Sequence, residues 1–311
     1  MLSYESISEL YKTAEAQHKL IRNIVLEDQA AQLEQPEESL IRQMEENLTV
    51  MLDAIENGSK PEVKSASELT GGDAYRLKQT ITEGKHLCGD LMSNAIQMAM
   101  AVSEINAAMG KIVAAPTAGS CGILPGALGA LIKVRKIPRE EVVLSMFTAG
   151  AIGMVVANKA SIAGASGGCQ AECGTASAMA AACIVELLGG TPEMAAHAVA
   201  IALKCILGLV CDPVAGLVEI PCIKRNASGV TLAFTAAELA LAGIKSAIPV
   251  DETIEALKRV GDGLPASLRE TAQGGLAITP AGQAFERQVF GTRAPLANDP
   301  CSTCGSCGSC G

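Results

Sequence analysis

Ala176-Ser177-Ala178-Met179-Ala180-Ala181-Ala182-Cys183-Ile184-Val185-Glu186-Leu187-Leu188 is the run whose reading decides the fold. It is helical in length and consists mostly of residues that lose little side-chain freedom in a helix. It shows none of the period-two alternation that a half-buried strand requires. A second run of the same character covers 194–209. Alternating β-branched segments are scarce elsewhere, and a doubly wound sheet would need several of them between its helices. The expected fold class is therefore all-α.

Composition supports helices that pack closely. Aromatic residues make up 2% of the 311 residues, there is no Trp, and glycine occurs 31 times. Small residues let backbones approach, so the core is expected to be Ala/Gly-rich rather than aromatic. A chain of this length forms one large domain or two modest ones and needs no disulfide staples. The net charge of −9 excludes a nucleic-acid partner, which calls for a basic face. A hydrophobic fraction of 49% with mean hydropathy +0.30 excludes disorder for most of the chain.

Two uncharged runs, 112–132 and 142–158, raise the question of a membrane span. The first carries Pro116, Pro125 and several glycines; the second is short and contains Thr148 and Asn158. A spanning helix wants about 20 mostly apolar residues. Both runs are read as buried segments, and no membrane partner is expected. Residues 1–26 are polar and amphipathic, without the pattern of a secretory signal. The expected location is cytoplasmic. The 12 cysteines are then reduced thiols, metal ligands or cluster ligands rather than disulfides.

Charge density divides the chain. Residues 1–66 form an N-terminal helical layer, with one helix starting near Tyr4 and another over 36–57, closed by Asn57-Gly58. Residues 67–290 form an Ala/Gly-rich domain, with a last charged helical region at 244–264. Residues 291–311 form a Cys/Gly/Ser-rich flexible tail. In it Cys301, Cys304, Cys307 and Cys310 fall at every third position.

Three cysteines stand at element ends, where side chains can converge. Cys169 follows Gly167-Gly168 and opens a helix over 170–188, where the positive end of the helix dipole favours a thiolate. Cys211 precedes Asp212-Pro213, where a helix must stop, and Cys222 follows Pro221. Cys183, mid-helix, reads as a buried structural residue. Spacing alone leaves two readings of the trio open, a shared site or three small hydrophobes.

Longer motifs go further. Ile112-Val113-Ala114-Ala115-Pro116-Thr117-Ala118-Gly119-Ser120-Cys121-Gly122-Ile123-Leu124-Pro125-Gly126 resembles the iron–sulfur-dependent L-serine dehydratases, specifically the alpha chain of the two-chain type. So do Ala160-Ser161-Ile162-Ala163-Gly164-Ala165-Ser166-Gly167-Gly168-Cys169-Gln170-Ala171-Glu172 and the stretch 207–227. Arg269-Glu270-Thr271-Ala272 and Gly274-Gly275-Leu276-Ala277 also match. The resemblance covers 70–285.

The resemblance implies a [4Fe-4S] cluster held by Cys169, Cys211 and Cys222, with one iron left free of protein sulfur. Such an iron would act as a Lewis acid for the hydroxyl of L-serine, since hydroxide is a poor leaving group. The implied reaction yields pyruvate and ammonia, and a separate beta chain is implied as partner. For the substrate carboxylate, the small residues of 115–122 offer backbone donors, Thr117 and Ser120 add hydroxyls, and Lys111 adds charge. Lys159, Arg225 and Asn226 are further substrate-binding candidates. Glu172, one turn after Cys169, is read either as a support for the cluster or as an acid stabilised by the helix N-terminus. None of His18, His86 and His197 lies in a matching motif, so the general base stays unassigned.

Two positions depart from the family pattern: Ser166 stands where Glu is usual and Cys205 where Asn is usual. They leave open a related lyase acting on L-cysteine or L-threonine. A non-catalytic metal or cluster carrier centred on the tail cysteines is the reading from another class. For the tail itself, a cluster cap through Cys310, a zinc site and a plain flexible end all remain open.

Overall fold

The computed structural model describes residues 4–291. The tail cysteines Cys301, Cys304, Cys307 and Cys310, and the readings attached to them, lie outside the described residues. No strand occurs among the described residues, so the expected all-α class is what the chain adopts; Cys211 and Arg269 form an isolated parallel bridge.

Three helices, α1 (Ile7–Ala16), α2 (Ile21–Leu33) and α3 (Glu37–Gly58), are followed by α4 (Asp73–Thr82) and α5 (Gly89–Ala107). A non-helical stretch and a 3-10 turn at Ala118–Ser120 lead into α6 (Ile123–Ala130), which runs on through the π turn Leu131–Arg135. Then come α7 (Arg139–Lys159), the short α8 (Gly164–Gly167), α9 (Cys169–Leu187) and α10 (Pro192–Lys204). The last three are α11 (Cys222–Leu241), α12 (Val250–Gly263) and α13 (Pro280–Phe290).

The run 176–188 forms the C-terminal half of α9 and its C-cap, and α9 is the axis of the molecule. Every residue from Cys169 to Glu186 is buried, enclosed by α6, α7, α10 and α11. A helix without a polar face is stable only in such a position. Small residues make the enclosure close. A Cβ placed on Gly126 of α6 would lie 2.8 Å from both the Ala95 carbonyl oxygen and the Ala99 Cβ of α5. α7 is long and apolar enough to cross a bilayer, but 67% of its most apolar window is buried inside the protein. The first three helices contribute Ile7, Leu10, Ile24, Leu48 and Met51 to the main apolar core. The boundary expected at 66 falls in the segment between α3 and α4.

One expected helix is shorter than its sequence suggests. The run 194–209 is helical only to Lys204, after which the chain turns through Gly208 at φ 89°. The cause is the buried start of α9, whose first amides need acceptors. The Leu209 carbonyl accepts from the Gln170 N–H at 2.9 Å, and the Gln170 side chain accepts from the Gly208 N–H at 2.8 Å. Leaving the helix thus caps α9 and delivers Cys211 beside Cys169. In the same way 244–264 is helical only from Val250.

Candidate functional site

All three cysteines singled out by position stand at element ends and are buried. Cys169 is the first residue of α9, Cys222 the first of α11, and Cys211 follows the turn that leaves α10. Gly168, at φ 77°, makes the turn into Cys169. The sulfurs of Cys169 and Cys211 and a carboxylate oxygen of Glu172 all lie within 4.8 Å of one another. Cys222 stands outside that close group, yet its thiol feels the charge of Cys169.

The backbone makes room for this group with glycine. A Cβ at Gly164 would lie 2.9 Å from the Cys211 sulfur and 3.0 Å from the Glu172 carboxylate, and one at Gly119 would also start 3.0 Å from that carboxylate. Both glycines belong to the motifs that carry the family resemblance.

Among these thiols the surroundings favour the anion of Cys169 most. Hydrogen bonds from the Cys173 and Cys211 thiols, reinforced by Arg225, hold Cys169 well below the usual thiol range. Cys211 and Cys173 are pushed far up, first by their hydrogen bonds to Cys169 and then by burial. Burial, followed by the Cys169 charge, raises Cys222. Burial and then the same charge push Glu172 up to about 7. A soft cation would change this balance, because metal ligation drives off thiol protons. Two close thiols with Cys222 nearby suit iron–sulfur or zinc chemistry and do not suit magnesium or calcium, which take oxygen ligands.

A polar frame holds the group. Arg225 donates from Nη1 to the Cys169 sulfur at 3.3 Å and to the Val210 carbonyl at 2.9 Å, and from Nη2 to Asp212 at 2.8 Å. Asp212 also accepts from the Leu276 N–H at 2.8 Å. Asn226, fully buried, accepts from the Gly122 N–H and donates to the carbonyls of Gly119 and Cys222. Thr117 Oγ1 donates to Glu172 at 2.9 Å and pairs with the Ser120 hydroxyl at 3.1 Å.

Of the substrate-binding candidates, Thr117, Ser120, Arg225 and Asn226 are thus brought round the thiols. Lys111 and Lys159 are exposed, and neither joins this hydrogen-bond network among the described residues. The histidines are elsewhere: His86 faces Asp90, His197 faces Glu193, and His18 lies in the turn between α1 and α2. Ser166 and Cys205, the two departures, are both exposed. Sequence reasoning gave no role to Asp212 or Glu270. Asp212 adjoins Cys211 and was legible as a neighbour. Glu270 stands in the matching motif Arg269-Glu270-Thr271-Ala272, but its approach through the bridge of that segment to Cys211 leaves no periodic pattern in the sequence.

The chain is similar in sequence to known proteins. A family model described as "Serine dehydratase alpha chain" matches residues 15–277. The chain is similar to the "Probable L-serine dehydratase, alpha chain" of Bacillus subtilis, 51% identical over 288 residues, covering 93% of this chain and 96% of that one. It is 46% identical over 268 residues to the "L-serine dehydratase, alpha chain" of Peptoniphilus asaccharolyticus, covering 86% and 91%. It is 42% identical over 235 residues to the "L-serine dehydratase TdcG" of Escherichia coli, covering 74% of this chain but 52% of that longer one.

Proposed function

The chain belongs to the serine dehydratase alpha chain family, and from that premise we propose that it is the catalytic alpha chain of an L-serine dehydratase. Such a lyase removes water from L-serine; the resulting 2-aminoacrylate becomes an imine and is hydrolysed to pyruvate and ammonia. The observation that carries this reading is the convergence of Cys169 and Glu172, from the start of α9, with Cys211, from the loop after α10, each within a family-like motif. The relatives' names support the substrate.

Cys169, Cys211 and Cys222 are the residues that would hold a [4Fe-4S] cluster, and their soft donor set fits one. When bound, the cluster supplies an iron without protein sulfur as a Lewis acid for the serine hydroxyl. The remaining work belongs to the chain. Arg225, fixed by Asp212, holds its guanidinium against Cys169 and keeps the ligand loop closed. Asn226 fixes the turn 119–122 against the start of α11. Thr117 and Ser120 place hydroxyls beside Glu172, where a substrate carboxylate would find donors. Lys111 and Lys159 would supply longer-range positive charge. Since the Escherichia coli relative is about twice the matched length, a beta chain would supply the remaining part of the enzyme, the general base included.

The test is anaerobic purification together with the accompanying chain, with iron, inorganic sulfide and pyruvate from L-serine measured for the wild type and Cys211→Ala. The expected result is about four irons per chain in the wild type, with activity and most iron lost in the variant. Metal retained by Cys211→Ala but lost on deleting 292–311, without pyruvate from either protein, would overturn the reading in favour of a metal carrier. Sulfide released from L-cysteine faster than pyruvate from L-serine would reassign the substrate.

A further inference from the structure

The segment after α12 is fastened to the ligand loop. The Cys211 N–H donates to the Leu268 carbonyl at 2.9 Å, and the Cys211 carbonyl accepts from the Glu270 N–H at 2.7 Å. Glu270 is thereby held at φ 64°, a left-handed conformation that a residue with a Cβ adopts only when its surroundings impose it.

Three acids surround the thiols, and their engagements differ. Glu172 is buried and takes hydrogen bonds from the Thr117 hydroxyl and the Gly164 N–H. Asp212 is buried between Arg225 and the Leu276 N–H. Glu270 is half-buried, and among the described residues its carboxylate takes part in no hydrogen bond or ion pair. Its backbone is bonded to that of Cys211, and its charge reaches Glu172, Cys211 and Cys222, which puts the carboxylate within electrostatic range of the same pocket.

An amino-acid substrate brings its own cation, the α-ammonium group. A partly solvated carboxylate on a fixed backbone is the group that recognises it, because a charge-assisted hydrogen bond there replaces contacts with water. We propose that Glu270 takes the ammonium group of the substrate and so makes the site select 2-amino acids over 2-hydroxy acids of the same shape. The inference rests on the dehydratase reading and deepens it.

The test compares wild type, Glu270→Gln and Glu270→Asp in the anaerobic holoenzyme with its accompanying chain. Iron and sulfide content, KM and kcat for L-serine, and inhibition by L-glycerate, which carries a hydroxyl in place of the ammonium, are measured. In Glu270→Gln, iron stays at the wild-type level and KM rises about tenfold to a hundredfold with a smaller change in kcat. Inhibition by L-glycerate is unchanged, and Glu270→Asp recovers part of the KM. An unchanged KM, loss of iron, a fall confined to kcat, or glycerate affinity that weakens in step with KM would each overturn the assignment. A wild-type holoenzyme that forms no pyruvate would sink the dehydratase reading itself; an active wild type with an unaltered variant sinks only the role of Glu270.

Discussion

Glu186 shows how a buried acid far from the thiols sets a pH dependence. It sits on α9, accepts from the Thr148 hydroxyl at 2.9 Å, and lies 3.5 Å from the Arg22 guanidinium. Its Oε1 and the Arg22 Nε are buried without a hydrogen-bond partner. Burial outweighs the attraction of Arg22 and pushes the carboxyl up to about 7, from an ordinary value of 4.5. The folded state therefore holds this proton more tightly than the unfolded state does. The associated stability is complete below pH 4.5 and is lost as pH rises through 7. A shift of that size corresponds to about 3 kcal/mol. Glu186→Gln keeps a neutral acceptor for Thr148 and removes the titration. Its stability relative to the wild type is expected to improve by about that amount between pH 4.5 and pH 8. Urea unfolding at the two pH values measures it, and a pH-independent difference would show that Arg22 compensates the anion fully.

At the scale of elements, glycine separates positions where helices touch from positions where they do not. Gly126 on α6 faces α5 so closely that an added methyl would overlap the backbone of Ala95. Gly150 on α7 has nothing within 4 Å of an added Cβ. Gly126→Ala is expected to destabilise by about 1–3 kcal/mol through overpacking. Gly150→Ala is expected to stabilise by about 0.5–1 kcal/mol through helix propensity alone. Thermal unfolding of the two variants checks both, and equal effects would mean that the α5–α6 approach relaxes freely. The same contrast explains what could be read beforehand. The helix over 36–57 and the core helix after Cys169 were legible, because propensity and punctuation act within a few residues. The end of α10 was not, since 205–209 leaves the helix to cap α9, a demand made by a different element. The placement of Cys169, Cys211 and Cys222 at element ends was legible from glycine and proline. The motif containing Glu270 was legible, but its approach to the thiols was not, because it depends on a bridge between Cys211 and Arg269 with no periodic signature.

At the scale of the whole molecule, the thiols tie together segments that are distant in the chain. The turn at Ala118–Ser120, the start of α9, the loop at Cys211, the start of α11 and the segment from Leu268 to Leu276 all meet there. These contacts are hydrogen bonds rather than apolar packing. None of Leu268, Arg269, Glu270 and Thr271 is buried, whereas α9 is buried along its length. Local opening is easiest where apolar burial is least, so the metal-free protein is expected to open first in this segment while α9 stays closed. The ligation proposed for Cys169, Cys211 and Cys222 would favour the closed arrangement, because only the folded chain brings these cysteines near one another. Anaerobic loading should therefore slow amide exchange at Cys211, Glu270 and Leu276 by about tenfold or more, and leave the amides of α3 unchanged. Hydrogen exchange read by mass spectrometry before and after loading distinguishes the two regions. Protection gained uniformly would mean that ligation stabilises only global folding. Protection absent from the Cys211 segment would mean that the metal is held elsewhere, because a ligand bonded through its own N–H and carbonyl to a segment cannot be fixed without fixing that segment as well.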